Sequence, residues 1–169
     1  MRSALRHSFA ALAVALCTAV CGCSATAGDE PADTVRVVRV VDGDTIRAAL
    51  PSGEEAVRYI GIDTPESVKP GSPVECFARR ASAFNERLVG GERVKLVYDA
   101  ERRDRFGRLL AYVYRARDGL FVNAELVRRG YATVATFPPN VRHERELRRL
   151  ARKARMSGRG LWGKCEGAG

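Results

Sequence analysis

The chain has 169 residues, of which 46% are hydrophobic and 29% charged, and its formal net charge is +9. These values fit one globular domain with a leader and exclude a disordered chain. With two histidines, no G-x-x-x-x-G-K-[ST] loop and no G-x-S-x-G elbow, the sequence also argues against histidine-rich zinc sites, P-loop enzymes and α/β-hydrolases.

The first 27 residues are typical of an export signal. Two arginines precede an apolar run from Phe9 to Val20, which is too short to span a bilayer. Two processing sites compete: a lipobox-like Val20-Cys21-Gly22-Cys23, with Cys23 as the lipidated residue, and Ala25-Thr26-Ala27 for ordinary cleavage. Either site predicts an exported protein, lipid-anchored at the cell surface or secreted. Its net charge would be +7, since the leader carries two arginines and no acidic residue.

The remaining chain is expected to form a linker over 28–33, one domain over 34–165 and a tail over 166–169. Outside the leader only Cys76 and Cys165 remain, and an even pair in an exported chain predicts a disulfide. The bond would close a loop of about 90 residues, worth roughly 4 kcal/mol if unstrained.

In chain order, the hydrophobic pattern predicts three strands, a helix, two strands and two helices. Alternating β-branched residues indicate the strands, and an apolar stripe at i, i+4 and i+7 indicates the first helix. The strands are expected over 34–41, 45–50, 55–62, 93–99 and 109–115, and the helices over 74–89, 122–129 and 141–156. This order favours an α+β, mainly β, fold: a closed five-stranded barrel with three α-helices packed against it.

Three short segments carry the candidate chemistry: Val41–Thr45, Arg58–Glu66 and Asp104–Arg108. Asp44 and Asp63 stand at strand ends, so neighbouring strands would turn both carboxylates toward one cation. Oxygen ligands without nearby histidine or cysteine select Ca²⁺, Mg²⁺ or Mn²⁺ over zinc.

This residue set suits hydrolysis of a phosphodiester. The transition state gains negative charge, which a divalent cation and two arginine forks stabilise. A carboxylate can take the proton of the attacking water. Asp42-Gly43-Asp44 alone is more typical of a hairpin turn than of a metal ligand, but this interpretation weakens when all three segments occur together.

In order and spacing, the three segments resemble those of the staphylococcal nuclease (thermonuclease) family, from about Val38 to Trp162. The resemblance implies an OB-fold-type barrel and cleavage of DNA and RNA with 3′-phosphate ends. It implies Asp44 and Asp63 as carboxylate ligands of Ca²⁺ and Thr64 as a backbone-carbonyl ligand.

The same resemblance implies the catalytic residues. Glu66 would hold and activate the attacking water, and Arg58 and Arg108 would clamp the scissile phosphate. Four further candidates for substrate binding are Asp104, Arg105, Phe106 and Phe137, with Asp104 expected mainly to order its loop.

Two aromatic positions depart from the family pattern. Phe106 stands where the family often has a tyrosine, so a ring remains for stacking but its hydroxyl is missing. Thr136 and Phe137 stand roughly where two pocket tyrosines would be.

The sequence thus predicts an exported, monomeric, Ca²⁺-dependent nuclease that acts on DNA and RNA and meets the membrane only through a lipid anchor. Two alternatives stay open. One is a nucleic-acid-binding module that keeps the barrel without catalysis. The other is a lipoprotein that holds cell-envelope polyanions with the arginine-rich third helix. The basic rim of that helix is more often a solvated face than a substrate track.

Overall fold

The structure, a computed structural model, describes residues 34–66, 71 and 73–165. The predicted export signal over 1–27 with Cys23, the linker over 28–33 and the tail over 166–169 lie outside the described residues. None of the helices in the described part has the length and apolar character that crossing a membrane requires.

Seven strands and four helices make up the described part of the chain. In order they are β1 (Thr34–Val40), β2 (Thr45–Leu50), β3 (Gly53–Tyr59), β4 (Gly61–Asp63), α1 (Ala78–Val89), β5 (Arg93–Val97), β6 (Leu109–Arg115), α2 (Val122–Arg128), β7 (Thr133–Ala135), α3 (Glu144–Met156) and α4 (Leu161–Lys164). Five strands close a barrel in the order β1-β2-β3-β6-β5. The predicted α+β class and the five-stranded barrel with three main helices are confirmed.

The pairing of the strands determines where the predicted site residues lie on the barrel. The strands pair antiparallel except β3 and β6, which run parallel and place Arg58 beside Leu110. Thr45 is the register partner of Arg58 between β2 and β3. Since Asp44 precedes Thr45 and Arg108 lies two residues before Leu110, this register brings parts of all three predicted motifs to one end of the barrel.

The barrel interior is filled by alternate residues of the strands. These side chains are at most 1% exposed, and they include Val37, Ile46, Val57, Val94 and Val113. Burial of one such side chain stabilises the fold by about 1.5–3 kcal/mol. The alternation that predicted the strands therefore also marks the inward face.

The third predicted strand, 55–62, is divided in the structure. β3 ends at Tyr59, Gly61 adopts a left-handed φ of 80°, and β4 leaves the barrel to pair with β7. Asp63 thereby lies opposite Thr133 rather than inside the barrel sheet. The prediction contained most of β4 but did not separate it from β3, and it contained no strand at β7, because strands of three residues carry too little alternation to be recognised.

Two helices begin later than predicted. α1 begins at Ala78 instead of residue 74, since Phe77 before it has a left-handed φ of 72°. α3 begins at Glu144 instead of residue 141. The predicted disulfide joins Cys76 and Cys165, with 5.9 Å between their Cα atoms, so it ties the entrance of α1 to the end of α4.

Asn123 of α2 fixes the point where β3 turns into β4. Its side chain is fully buried. Its Oδ1 accepts a hydrogen bond from Val113 N at 3.0 Å, and its Nδ2 donates to Ile60 O at 2.9 Å. Because a buried backbone group without a partner costs about 1–3 kcal/mol, this amide holds the turn between Arg58 and Asp63 in one position.

Asp99 joins the barrel to α3 and gives the fold a pH dependence. Burial alone would raise the pKa of Asp99. Its Oδ2 accepts hydrogen bonds from Arg142 N at 3.1 Å and from the Tyr112 hydroxyl at 3.0 Å. These bonds outweigh burial and hold the pKa of Asp99 below its ordinary value. The stabilisation is therefore present above the unfolded pKa of about 3.9 and is lost as the pH falls through the folded pKa.

We expect Asp99→Asn to be less stable than the parent at neutral pH and to lose less stability between about pH 4 and pH 2. Urea unfolding at a series of pH values measures this difference. Tyr112→Phe, which removes one of the two donors, should give an intermediate slope. An Asp99→Asn profile parallel to that of the parent would contradict the assignment.

Candidate active site

A short acidic loop between β1 and β2 carries the first predicted ligand. The Asp44 residue is 4% exposed. Its Oδ2 accepts hydrogen bonds from Thr64 N at 2.8 Å and from Thr64 Oγ1 at 2.9 Å. Asp42 Oδ1 accepts a hydrogen bond from Asp44 N at 3.0 Å. Asp44 is thus held between its own loop and the segment that follows β4.

Arg58 brings the two predicted carboxylate ligands together. Its Nε lies 3.1 Å from Asp44 Oδ1, and its Nη2 lies 2.7 Å from Asp63 Oδ1. Its Nη1 donates to Tyr59 O at 2.9 Å and to Ile62 O at 2.8 Å. One guanidinium therefore spans both aspartates, and the side chain of Arg58 is only 15% exposed.

The carboxylates near Arg58 have raised pKa values. Burial, together with the charge of Asp44, raises the pKa of Asp42 to about 6. Burial also raises the pKa of Asp44 and of Asp63, and in both the charge of Arg58 opposes the rise. Burial is the largest cause of the raised pKa in each case, and a cation bound beside these carboxylates would favour their charged forms.

The donor set agrees with a hard cation. Asp44 and Asp63 offer carboxylate oxygens, and hard cations complete their coordination with backbone carbonyls and water. Within 34–66, 71 and 73–165, no three histidine, cysteine, aspartate or glutamate side chains converge to enclose a metal by themselves. Since the two residues offer only carboxylate oxygens, they fit an oxygen-ligated ion better than zinc, which histidine and cysteine usually bind.

A cleft of about 590 Å³ runs beside this cluster. Both predicted clamp residues line it, together with Asp63 and the four predicted substrate-binding residues; these last four are Asp104, Arg105, Phe106 and Phe137. Asp44, Thr64 and Glu66 are not among its lining residues. Of the two predicted carboxylate ligands, the structure therefore places only Asp63 on the lining of the cleft, together with both arginines.

Arg108 is held in the cleft by its own loop. Its Nε donates to Asp104 Oδ2 at 2.7 Å, and Asp104 Oδ1 accepts from Phe106 N at 2.9 Å and Arg108 N at 3.0 Å. The guanidinium carbon of Arg108 also lies 5.6 Å from the centre of the Phe106 ring. Asp104 orders the loop, as expected, and thereby orients Arg108.

Glu66 lies outside the lining of the cleft, and its backbone is paired with Glu75. Its N donates to Glu75 Oε2 at 3.0 Å, and Glu75 N donates to Glu66 O at 3.0 Å. This double contact fixes the backbone three residues after Asp63. The role of Glu66 as the residue that activates water stays a prediction.

Comparison with known proteins gives an independent view of the same residues. The family described as "Staphylococcal nuclease homologue" matches residues 56–164. The thermonuclease of Staphylococcus hyicus is 35% identical over 129 residues, which are 76% of this chain and 75% of that protein. The thermonuclease of Staphylococcus intermedius is 37% identical over 134 residues, 79% of each protein.

The chain belongs to the staphylococcal nuclease family. A further relative, the endonuclease YncB of Bacillus subtilis, is 38% identical over 132 residues, which are 77% of this chain and 62% of that protein. The predicted resemblance is confirmed. The range matched by the family includes Arg58, Asp63, Glu66 and Arg108 and begins after Asp44.

The two aromatic departures from the family pattern have different outcomes in the structure. Phe106 and Phe137 are 69% and 74% exposed, and both line the cleft. Thr136 does not line it, and its Oγ1 is buried with no hydrogen-bond partner among the described residues. Only the phenylalanine of the Thr136-Phe137 pair therefore presents its side chain to a ligand.

Sequence reasoning missed one residue that supports the acidic loop. Asn85 of α1 is fully buried. Its Nδ2 donates to Asp42 O at 3.0 Å, and its Oδ1 accepts from the Tyr59 hydroxyl at 3.1 Å. The available signal was an amide between Ala81 and Leu88 on the apolar stripe of a predicted helix.

Gly43 is required by a close approach between the acidic loop and Thr64. A Cβ added at Gly43 would lie 2.6 Å from Thr64 Oγ1 and 2.8 Å from Thr64 Cγ2. We expect Gly43→Ala to separate Asp44 from Thr64 and to reduce nuclease kcat/KM by about 100-fold, since an error of about 1 Å in a site has this effect. Steady-state cleavage of DNA measures the loss.

The matched control is Ala49→Ser, a small exposed change on neighbouring β2, which should leave cleavage unchanged. The melting temperature of Gly43→Ala should fall by only a few degrees, because the strain lies in a loop. Full activity in Gly43→Ala would show that this contact does not position the site.

Proposed function

We propose that the protein is an exported, Ca²⁺-dependent nuclease that hydrolyses phosphodiester bonds of DNA and RNA by attack of water and leaves 3′-phosphate ends. One observation carries the proposal: the guanidinium of Arg58 contacts both Asp44 and Asp63 and shares a cleft with Arg108. Cationic groups and carboxylates on one cleft are what a phosphodiester reaction needs.

The two arginines bind the scissile phosphate. Their side chains are 15% and 33% exposed, and each is oriented by a carboxylate, Asp63 for Arg58 and Asp104 for Arg108. Arg108 contacts Asp104 through Nε, so its Nη groups can offer two parallel donors to phosphate oxygens, whereas Arg58 has one N–H of Nη2 left beside its four contacts. Both arginines therefore stabilise the charge that grows on the phosphate in the transition state.

In this proposal Asp44, Asp63 and the backbone carbonyl of Thr64 would hold the cation. When bound, Ca²⁺ polarises the phosphate and lowers the energy of the developing negative charge. Glu66 accepts the proton of the attacking water, as a carboxylate general base. Thr64 N and Oγ1 keep the Asp44 carboxylate oriented.

The exposed rings of Phe106 and Phe137 hold the nucleotides beside the scissile bond. A base or sugar stacked on an aromatic face gains about 1–3 kcal/mol, whatever the base. Tolerance of sequence, and of DNA and RNA alike, follows from contacts of this kind.

The test is cleavage of single-stranded DNA, double-stranded DNA and RNA with Ca²⁺, with Mg²⁺ and with chelator. We expect cleavage with Ca²⁺ that chelator abolishes and that Glu66→Gln strongly reduces. Products should resist extension by a polymerase until a phosphatase removes the 3′-phosphate. Binding of DNA without cleavage would instead favour the catalytically inactive module.

Export follows from the sequence of the first 27 residues. We propose cleavage at Cys23 with lipid attachment, and Ala25-Thr26-Ala27 is the alternative that would release a secreted enzyme. Metabolic labelling with a fatty acid distinguishes the two, because Cys23→Ser would abolish labelling only in the first case. The monomeric state is tested by sedimentation.

A further inference from the structure

One face of α3 carries three arginines in a row. Arg145, Arg149 and Arg152, here called the arginine stripe, are all exposed. At 100° per residue they fall within an arc of about 60°. The buried residues Leu147 and Ala154 lie on the opposite side of the helix, so the stripe points away from the core.

The stripe differs from two neighbouring arginines of the helix, which each have a partner. Arg148 pairs with Glu144 at 2.7 Å, and the guanidinium of Arg155 lies over the ring of Trp162. Among the described residues, by contrast, no ion pair, hydrogen bond or ring contact involves the arginine stripe. Its three positive charges repel one another, and a polyanion on this face would relieve the repulsion.

The two acidic residues of the helix are paired with residues outside the stripe. Glu144 is engaged by Arg148, and Glu146 Oε2 lies 3.3 Å from His143 Nδ1. A depression of about 440 Å³ lies at the start of α3. It is lined by three arginines, one histidine and one glutamate: Arg142, Arg145, Arg149, His143 and Glu146. The surface is therefore basic where the stripe begins.

The stripe also adjoins the catalytic cleft. Asn140 lines the cleft, and two hydrogen bonds to the backbone of Glu101 fix its side chain. Asn140 Oδ1 accepts from Glu101 N at 2.8 Å, and Asn140 Nδ2 donates to Glu101 O at 2.9 Å. Arg142, two residues further on, lines the depression. A chain that leaves the cleft past Asn140 therefore meets the basic face directly.

We propose that the arginine stripe is a second binding track for the nucleic-acid strand whose scissile bond lies in the cleft. This inference rests on the proposed function and adds the substrate class: polymers are favoured over short oligonucleotides. The stripe spans about 10 Å along the helix, which corresponds to about three phosphates of a stacked strand. Its contacts are to phosphates and carry no sequence preference.

The test compares two triple variants with the same loss of charge. The first is Arg145→Gln, Arg149→Gln and Arg152→Gln. The matched control is Arg36→Gln, Arg39→Gln and Arg79→Gln, at exposed positions on β1 and α1 away from the stripe. Glutamine is a good helix former, so α3 should stay folded, and circular dichroism checks this.

Binding of a labelled single strand of about 20 nucleotides is measured in chelator, where no cleavage occurs, over a range of salt concentrations. For the stripe variant we expect affinity at low salt to fall by about tenfold or more and the log–log salt slope to fall by about 2. The ratio of kcat/KM for a long polymer to that for a dinucleotide should fall by about tenfold as well.

Equal losses in the control variant would overturn the inference, since they would show an effect of net charge alone. No loss in the stripe variant would overturn it too. A parent protein that cleaves neither polymer nor dinucleotide would refute the proposed function, whereas the binding measurement would still decide whether the stripe holds nucleic acid.

Discussion

Replacing Arg58 with alanine is expected to lower kcat/KM for DNA by about 1,000-fold or more. An arginine that stabilises charge on a phosphoryl group contributes about 10³ to 10⁵ in rate. Arg58 also holds the Asp44 and Asp63 carboxylates together through Nε and Nη2, so its loss would affect the proposed cation site in addition to the proposed phosphate contact. Steady-state cleavage of a defined oligonucleotide measures the effect.

Three variants separate catalysis from folding. Arg58→Lys keeps the charge but loses the fork, and it should remain severely impaired. Arg108→Ala should lose activity with little change in melting temperature, because its partner Asp104 lies in a loop. Arg47→Ala breaks an ion pair with Glu54 on the neighbouring strand and should keep full activity. An active Arg58→Ala protein would refute the proposed role.

Breaking the Cys76–Cys165 disulfide is expected to lower the free energy of unfolding by about 4–5 kcal/mol. The bond joins residues 89 apart, and the chain-entropy model gives this value for so long a loop. For a domain of this size the melting temperature should fall by roughly 10–15 °C. Urea unfolding of the oxidised protein, with and without a reducing agent, measures the difference.

The double variant Cys76→Ser and Cys165→Ser is the control for this experiment, and the reducing agent should not change its unfolding midpoint. Well below the melting temperature it should still cleave DNA, because neither cysteine lines the cleft. If reduction left the midpoint of the parent unchanged, the bond would not stabilise the domain.

The sequence predicted that Asp44 and Asp63 would approach each other, and in the structure Arg58 contacts both. The prediction placed them at the ends of neighbouring strands, whereas Asp44 lies in the loop before β2 and Asp63 ends β4, which pairs with β7. Their role as cation ligands stays a prediction. The register Thr45 to Arg58 then places the acidic loop beside the arginine. The sequence also predicted the cysteine pair, since only two cysteines remain outside the leader. These features depend on local pattern and counting, which a sequence contains.

The remaining features depend on tertiary contacts. β4 and β7 exist because Gly61 turns the chain out of the barrel and Asn123 holds that turn. Asn85 supports the acidic loop across 43 positions of sequence. A polar residue on a helical stripe shows only that it is buried, and its partner becomes known when the helix is docked on the barrel.

The docking of α4 determines where the domain can end. Leu161 N donates to Gly130 O at 2.9 Å, and a Cβ on Gly160 would lie only 2.1 Å from the same oxygen. This contact and the cysteine bridge both depend on the last few described residues. A proteolytic fragment that stops short of Cys165 would therefore lose its covalent closure at the entrance of α1, the helix whose Asn85 holds Asp42. Loss of these last residues would thus affect the acidic loop through the contact between Asn85 and Asp42.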